Sequence, residues 1–146
     1  MTITKESFVD LQEKYEKVMK LMEDSKSDPE NEPFLSKYSA RQILIGMKAN
    51  IENLIRTQSS EGQENLKLLA MLGAVYLYLG MVAIDTEEIS TGKKHLEKCK
   101  EVVEKYQTKP EMILISLNMY NQFGILWSLR EPDKSKFSSI NRKSCI

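Results

Sequence analysis

Histidine, cysteine, proline and glycine are scarce in this chain of 146 residues: one, two, four and six. A single histidine, His95, leaves no histidine-based metal cluster and no Ser-His-Asp triad. Cys99 and Cys145 make no disulfide framework, and Cys99 falls where a helix needs a small apolar residue. With no base nearby other than His95, four residues earlier, its thiol reads as structural. No glycine-rich phosphate loop is present. The acidic run Asp85-Thr86-Glu87-Glu88 lacks the alternating ligands and central glycine of a calcium loop. Charge of one sign is also missing: 21 basic and 21 acidic residues balance, so no global field gathers nucleic acid or anionic lipid. General acids, bases and nucleophiles do not cluster, and the chain reads as non-enzymatic, without metal or cofactor.

The first ten residues hold Lys5, Glu6 and Asp10 and no apolar core, so no secretory signal is expected. Cys145 is second from the C-terminus, the wrong place for prenylation. One long uncharged run does exist, Leu68 to Ile84. As a helix it would span about 26 Å, just short of a hydrocarbon core of roughly 30 Å. A membrane-anchored protein using Leu68–Ile84 is therefore one alternative. A buried central helix is favoured, because Tyr76 and Tyr78 would sit at mid-membrane and because a helix flanked on both sides is also apolar all round.

Periodicity gives five helices. The first runs from about Lys5 to Asp24, with Phe8, Leu11, Tyr15, Val18 and Met22 on one face. Pro29 and Pro33 make Ser25 to Leu35 a loop. A second helix starts between Ser36 and Ser39 and reaches about Arg56, burying Leu44, Met47, Ile51, Leu54 and Ile55; Thr57 to Gly62 breaks the pattern. The third covers about Gln63 to Ile84. The fourth is expected from Asp85 or Thr86 to about Tyr106, with the acidic run as its capping box. The fifth follows Pro110, a residue suited to a first helical turn, and carries Ile113, Leu117, Tyr120, Phe123, Gly124 and Trp127.

Small and aromatic residues recur on these helices at tetratricopeptide-like spacing: Leu72, Gly73 and Tyr76, then Gly92, Leu96 and Cys99, then Phe123, Gly124 and Trp127, with Gly80 on the stripe of Gly73. A glycine with a ring three residues on lets two helices approach closely. Gly73, Tyr76, Gly80, Gly92, Leu96, Cys99, Gly124 and Trp127 are accordingly the expected structural repeat contacts. From Gly73 to Gly92 is nineteen residues (92 − 73), where such a repeat has about twelve. An excess of nearly two turns would stretch the repeat without changing any face. The fold class is therefore all-α: antiparallel helix pairs in a tetratricopeptide-like right-handed solenoid fragment over residues 1–131. A disordered basic tail is expected over 132–146. After Trp127 no partner helix follows, leaving Ile113, Leu117, Phe123 and Trp127 on an unfinished edge.

Three stretches carry a family resemblance: Asp28-Pro29-Glu30-Asn31-Glu32-Pro33-Phe34 with Ser36-Lys37-Tyr38-Ser39-Ala40-Arg41; Leu79-Gly80 with Ile84 to Ser90, Gly92, His95-Leu96 and Lys98-Cys99; and Asn121 with Gly124 to Ser128. In this order they resemble the N-terminal region of the kinesin-binding protein (KIF-binding protein) family, over about residues 5 to 131. The resemblance implies part of a longer helical solenoid that binds the motor domains of some kinesins and keeps them off microtubules. It further implies a cytoplasmic, cytoskeleton-associated place and consequences for organelle transport and nerve-cell development. It implies that this chain is an incomplete form whose grip on a motor is weak or absent, and it assigns no residue to partner binding. A generic tetratricopeptide adaptor is a second alternative. Ala70 and Ala74 stand where a carboxylate-clamp adaptor has lysine and asparagine, which speaks against it.

Overall fold

The computed structural model describes residues 5–57, 63–105 and 109–130. The fold is all-α: α1 (Lys5–Asp24), α2 (Leu35–Thr57), α3 (Gln63–Asp85), α4 (Ile89–Lys105) and α5 (Pro110–Arg130), with a 3-10 turn at Ser25–Ser27. The expected tail over 132–146 and most of the break from Thr57 to Gly62 lie outside the described residues, as does the side chain of Phe8.

The amphipathic faces read from spacing become the core. Leu11 and Val18 of α1 and Leu44, Met47 and Ile51 of α2 are fully buried, and Tyr15, Met22, Leu54 and Ile55 pack partly buried against them. Each helix packs on the next, and α5 packs on both α3 and α4. α1 also reaches α3, where the Tyr15 and Tyr78 rings meet edge to face at 6.1 Å. Leu66–Asp85 is long and apolar enough to cross a membrane, with mean hydropathy 1.9, yet 67% of its most apolar window is buried among the other helices. A central helix needs that all-round apolarity, because water reaches little of it.

The chain direction reverses between α2, α3 and α4. From Lys37 to Glu52 along α2, the α3 partners descend from Asp85 to Tyr76. From Gly73 to Gly80 and Ile84 along α3, the α4 partners descend from Val102 to Leu96 and Gly92. The crossing glycine of α3 is therefore Gly80, not Gly73. A Cβ on Gly80 would lie 2.9 Å from Leu96 Cδ2 and 3.4 Å from the Gly92 carbonyl oxygen, whereas one on Gly73 would meet Val102 and Ile115 at an ordinary 3.6 and 3.7 Å. Gly80 and Gly92 are twelve residues apart (92 − 80), so the α3–α4 pair is not stretched. The seven-residue error arose because Gly73 and Gly80 share a face.

A second correction concerns Asp85 to Glu88. α4 starts at Ile89, and the acidic run is instead the C-terminal turn of α3. Glu87 has φ 68°, the one positive-φ non-glycine among the described residues. Its N–H donates to the Ile84 carbonyl at 3.1 Å, and the Glu88 N–H donates to the Ala83 carbonyl at 2.7 Å. This is the Schellman pattern of a left-handed helix stop, with glutamate where glycine is usual. The Glu88 carbonyl then accepts the Gly92 N–H at 2.9 Å, so one residue closes α3 and opens α4. So short a link fixes the antiparallel pairing.

Candidate functional site

Two surfaces stand out, one polar and one apolar. The polar one is the corner where the start of α2 meets the α3–α4 turn. Asp28 fixes its approach by accepting the Ser36 N–H at 2.8 Å and the Ser36 hydroxyl at 2.7 Å, a long-range cap on the first turn of α2. Arg41 Nη1 then donates to Glu88 Oε2 at 2.7 Å while its guanidinium lies 4.7 Å from the Tyr38 ring centroid. Lys37 Nζ sits 3.4 Å from Asp85 and 5.9 Å from the Phe34 ring centroid. The Thr86 hydroxyl, buried at the turn, donates to the same Glu88 oxygen at 2.7 Å.

The hydrogen bonds from Thr86 and Arg41 hold the Glu88 carboxyl below the usual carboxylate range. His95, half-buried nearly two turns into α4, is held below the usual imidazole value by burial and by the charges of Lys48 and Arg41. Two of the stretches that carry the resemblance, Asp28 to Arg41 and Ile84 to His95, thus meet in one cluster of interlocking charges. Lys37 is answered by Asp85 and Arg41 by Glu88, so the corner sets the angle of α2 against the α3–α4 pair. Leu35 and Tyr38 remain exposed beside it.

The apolar surface is the outer face of α5. Its buried side is the line Met112, Met119 and Leu126, with Ile115 and Phe123 partly buried. Of these, spacing singles out Phe123 alone, although Met112, Met119 and Leu126 recur at a seven-residue interval. The outward side exposes Ile113, Leu114, Leu117, Tyr120, Ile125 and Trp127, the last 57% open to water. Between α4 and α5 runs a groove of about 420 Å³, walled by Lys93, Glu97 and Lys100 on one side and by Tyr120, Phe123, Leu126 and Trp127 on the other.

Of the expected repeat contacts, Gly73, Tyr76, Gly80, Gly92, Leu96 and Cys99 are buried, with Gly80, Gly92 and Leu96 at the α3–α4 crossing. Tyr76 hydrogen-bonds Glu52 of α2, and burial first, then that carboxylate, pushes its phenol above the ordinary value. Gly124 and Trp127 are corrected: nothing lies within 4 Å of a Cβ placed on Gly124, and Trp127 faces water, because no helix of the described residues covers that side of α5. Phe123 is likewise half-buried along the groove and not part of a fully open edge. Burial pushes the Cys99 thiol up to about 12, so no thiolate nucleophile forms there near neutral pH. Among the described residues no group of histidine, cysteine, aspartate and glutamate is placed to hold a metal ion.

No family model matches the sequence, and no solved structure does. Curated proteins do. The chain is 36% identical to the KIF-binding protein of Drosophila melanogaster, over 90% of this chain and 23% of that protein. It is 36% identical to the KIF-binding protein of Gallus gallus, over 77% and 18%, and 33% identical to that of Homo sapiens, over 71% and 20%. The chain thus spans about a fifth of the length of the relatives it matches. On this kinship, along nearly all of its described helices, the chain belongs to the KIF-binding protein family.

Proposed function

We propose that the chain is part of a non-enzymatic helical scaffold of tetratricopeptide type that, when continued by further helices, binds the motor domain of a kinesin and opposes its attachment to microtubules. Its setting would be the cytoplasm, on the cytoskeleton, in organelle transport and nerve-cell development. The observation that carries this reading is the 36% identity to KIF-binding protein across 90% of the chain. The corner that joins Arg41 to Glu88 and Lys37 to Asp85 supports it, since it draws on the stretches in which the resemblance is written.

Size sets how far the reading goes. A specific interface buries about 800 Å² on each partner. Five helices offer the packed pairs α1–α2 and α3–α4 and a lone α5, a short wall for a whole motor domain. The 146-residue chain by itself is therefore expected to bind a kinesin motor domain weakly or not at all, and a version continued by the further helices of a longer relative is expected to bind it.

Microtubule co-sedimentation of a motor domain with each version tests this. The expected result is a motor domain that pellets with microtubules beside the short chain and stays in the supernatant beside the extended one. Full inhibition by the short chain would place the motor contacts within these five helices and overturn the size argument. Failure of both versions would overturn the kinesin reading itself.

A further inference from the structure

We infer that the furrow between α2 and α4 binds a phosphate group, held between Lys48 and His95. Both helices run antiparallel to α3, so they lie parallel to each other across it. Arg41 of α2 meets Glu88, at the head of α4, at 2.7 Å. Lys48 and His95 each stand seven residues further on (48 − 41 and 95 − 88), or about 10.5 Å along the two axes. Seven residues return a helix to nearly the same face, so Lys48 and His95 face one another two turns below the Arg41–Glu88 pair. The Lys48 ammonium lies 5.9 Å from the ring centroid of Tyr76, on α3 at the floor of the furrow, and the charges of Lys48 and Arg41 both bear on His95.

The two levels differ in charge. The upper one joins a base to an acid, and the lower one sets base against base. Among the described residues neither Lys48 nor His95 is paired with a carboxylate, and the acids near them are taken. Glu88 accepts hydrogen bonds from Arg41 and Thr86, and Glu52 accepts one from Tyr76. From Leu68 to Ile84 α3 contributes no charge. Two half-buried bases, walled in by helices of this chain, therefore face a gap that lacks its anion.

Charge count selects phosphate over carboxylate. Lys48 and a protonated His95 carry two positive charges, and a phosphate group near neutral pH carries about −1.5 to −2 with three acceptor oxygens. The ammonium on one wall and the imidazolium on the other can each donate to a different oxygen in a charge-assisted hydrogen bond. Glu88, two turns away, stands about one Debye length off, so its repulsion is largely screened. Proton and phosphate then bind together, each raising the affinity for the other.

The experiment uses the full 146-residue chain, whose sole histidine gives one imidazole C2 proton resonance to follow against pH. Inorganic phosphate, O-phosphoserine and acetate are each added up to about 50 mM, against chloride at matched ionic strength, a range that saturates a site of about 1 to 10 mM. In chloride the midpoint is expected below the ordinary imidazole value of about 6.5. Phosphate is expected to raise it, saturably, by about one pH unit. Lys48→Gln is expected to keep the helical circular dichroism, to raise the midpoint in chloride by removing a like charge, and to weaken the phosphate response at least about tenfold.

A response to inorganic phosphate supports the proposal with a free phosphate as ligand, and a response to O-phosphoserine alone supports it with a phosphorylated side chain. The same midpoint in phosphate, O-phosphoserine and chloride would overturn it, as would a phosphate response that survives Lys48→Gln. An equal response to acetate would refute the charge count and make the gap a seat for a carboxylate, such as one from the further helices of a longer relative.

Discussion

Gly80 and Gly92 stand back to back where α3 crosses α4, each directed at the other's carbonyl oxygen. A Cβ on Gly92 would lie 3.3 Å from the Gly80 oxygen and 2.9 Å from Ile84 Cγ1, and one on Gly80 would lie 2.9 Å from Leu96 Cδ2. Ile84 is β-branched and 5% exposed, and Leu96 is fully buried, so neither has room to turn away. The Gly80–Gly92 pair therefore sets how closely the two best-packed helices approach.

Alanine substitutions separate this crossing from the glycine seven residues before it. Alanine is worth about 1 kcal/mol over glycine inside a helix. At Gly73 the added methyl finds ordinary contacts, so Gly73→Ala is expected to hold or raise stability by up to about 1 kcal/mol. At Gly80 and Gly92 the helices must move apart, and each alanine is expected to lower stability by about 1 to 3 kcal/mol net. Gly73→Leu is still expected to overpack, by about 1 to 3 kcal/mol, since it places a full side chain against Val102 and Ile115. Urea unfolding of the four variants checks the order; Gly80→Ala more stable than the parent would remove the crossing from the account.

Acid should loosen the corner that joins α2 to the α3–α4 turn. The Glu88 carboxyl is held below its usual value, so its contribution is present above the unfolded value of about 4.5 and is lost as pH falls through the folded value. His95 is also lowered, so below about 6.5 the unfolded chain takes up a proton that the folded chain resists. Both effects act in one direction, with stability falling first below about pH 6.5 and again below about pH 4.5. His95→Gln is expected to remove the upper step and leave the lower one, read from Tm against pH. The Arg41–Glu88 pair is partly exposed, so its coupling in a double-mutant cycle should be at most about 1 kcal/mol.

The parts of this fold most legible in the sequence were those with one answer per residue. Leu44, Met47 and Ile51 recur at helical spacing amid polar neighbours, and Pro110 can stand in a helix only near its start. α5 was harder, because apolar residues surround it and the seven-residue interval of the buried Met112, Met119 and Leu126 is matched by that of the exposed Ile113, Tyr120 and Trp127. Met112 and Met119 went unnoticed for that reason, while Gly124 and Trp127 were assigned a contact they lack. The corner was missed as a unit. Arg41 and Glu88 are 47 residues apart, and such a pairing exists only after α2, α3 and α4 have packed. Asp85-Thr86-Glu87-Glu88 misled more directly, since the same residues that cap the start of a helix also suit its end when one of them accepts a positive φ.

That positive φ yields a last prediction. Glu87 is in the left-handed region at φ 68°, where a Cβ crowds the following carbonyl and costs roughly 1 to 2 kcal/mol. Its carboxylate takes part in none of the corner's hydrogen bonds, which fall to Glu88. Replacing it should relieve strain without breaking the helix stop, because the bonds from residues 87 and 88 to Ile84 and Ala83 come from the backbone. Glu87→Gly is expected to raise stability by about 0.5 to 1 kcal/mol, less than the full strain because glycine also gains freedom in the unfolded chain. Glu87→Ala, which keeps the Cβ, should gain nothing, and Glu87→Val, branched at that carbon, should lose about 1 kcal/mol or more. Thermal unfolding of the three variants gives the test: equal stability for glycine and alanine would mean that residue 87 is not held at positive φ, and the three-residue turn joining α3 to α4 would need a different geometry.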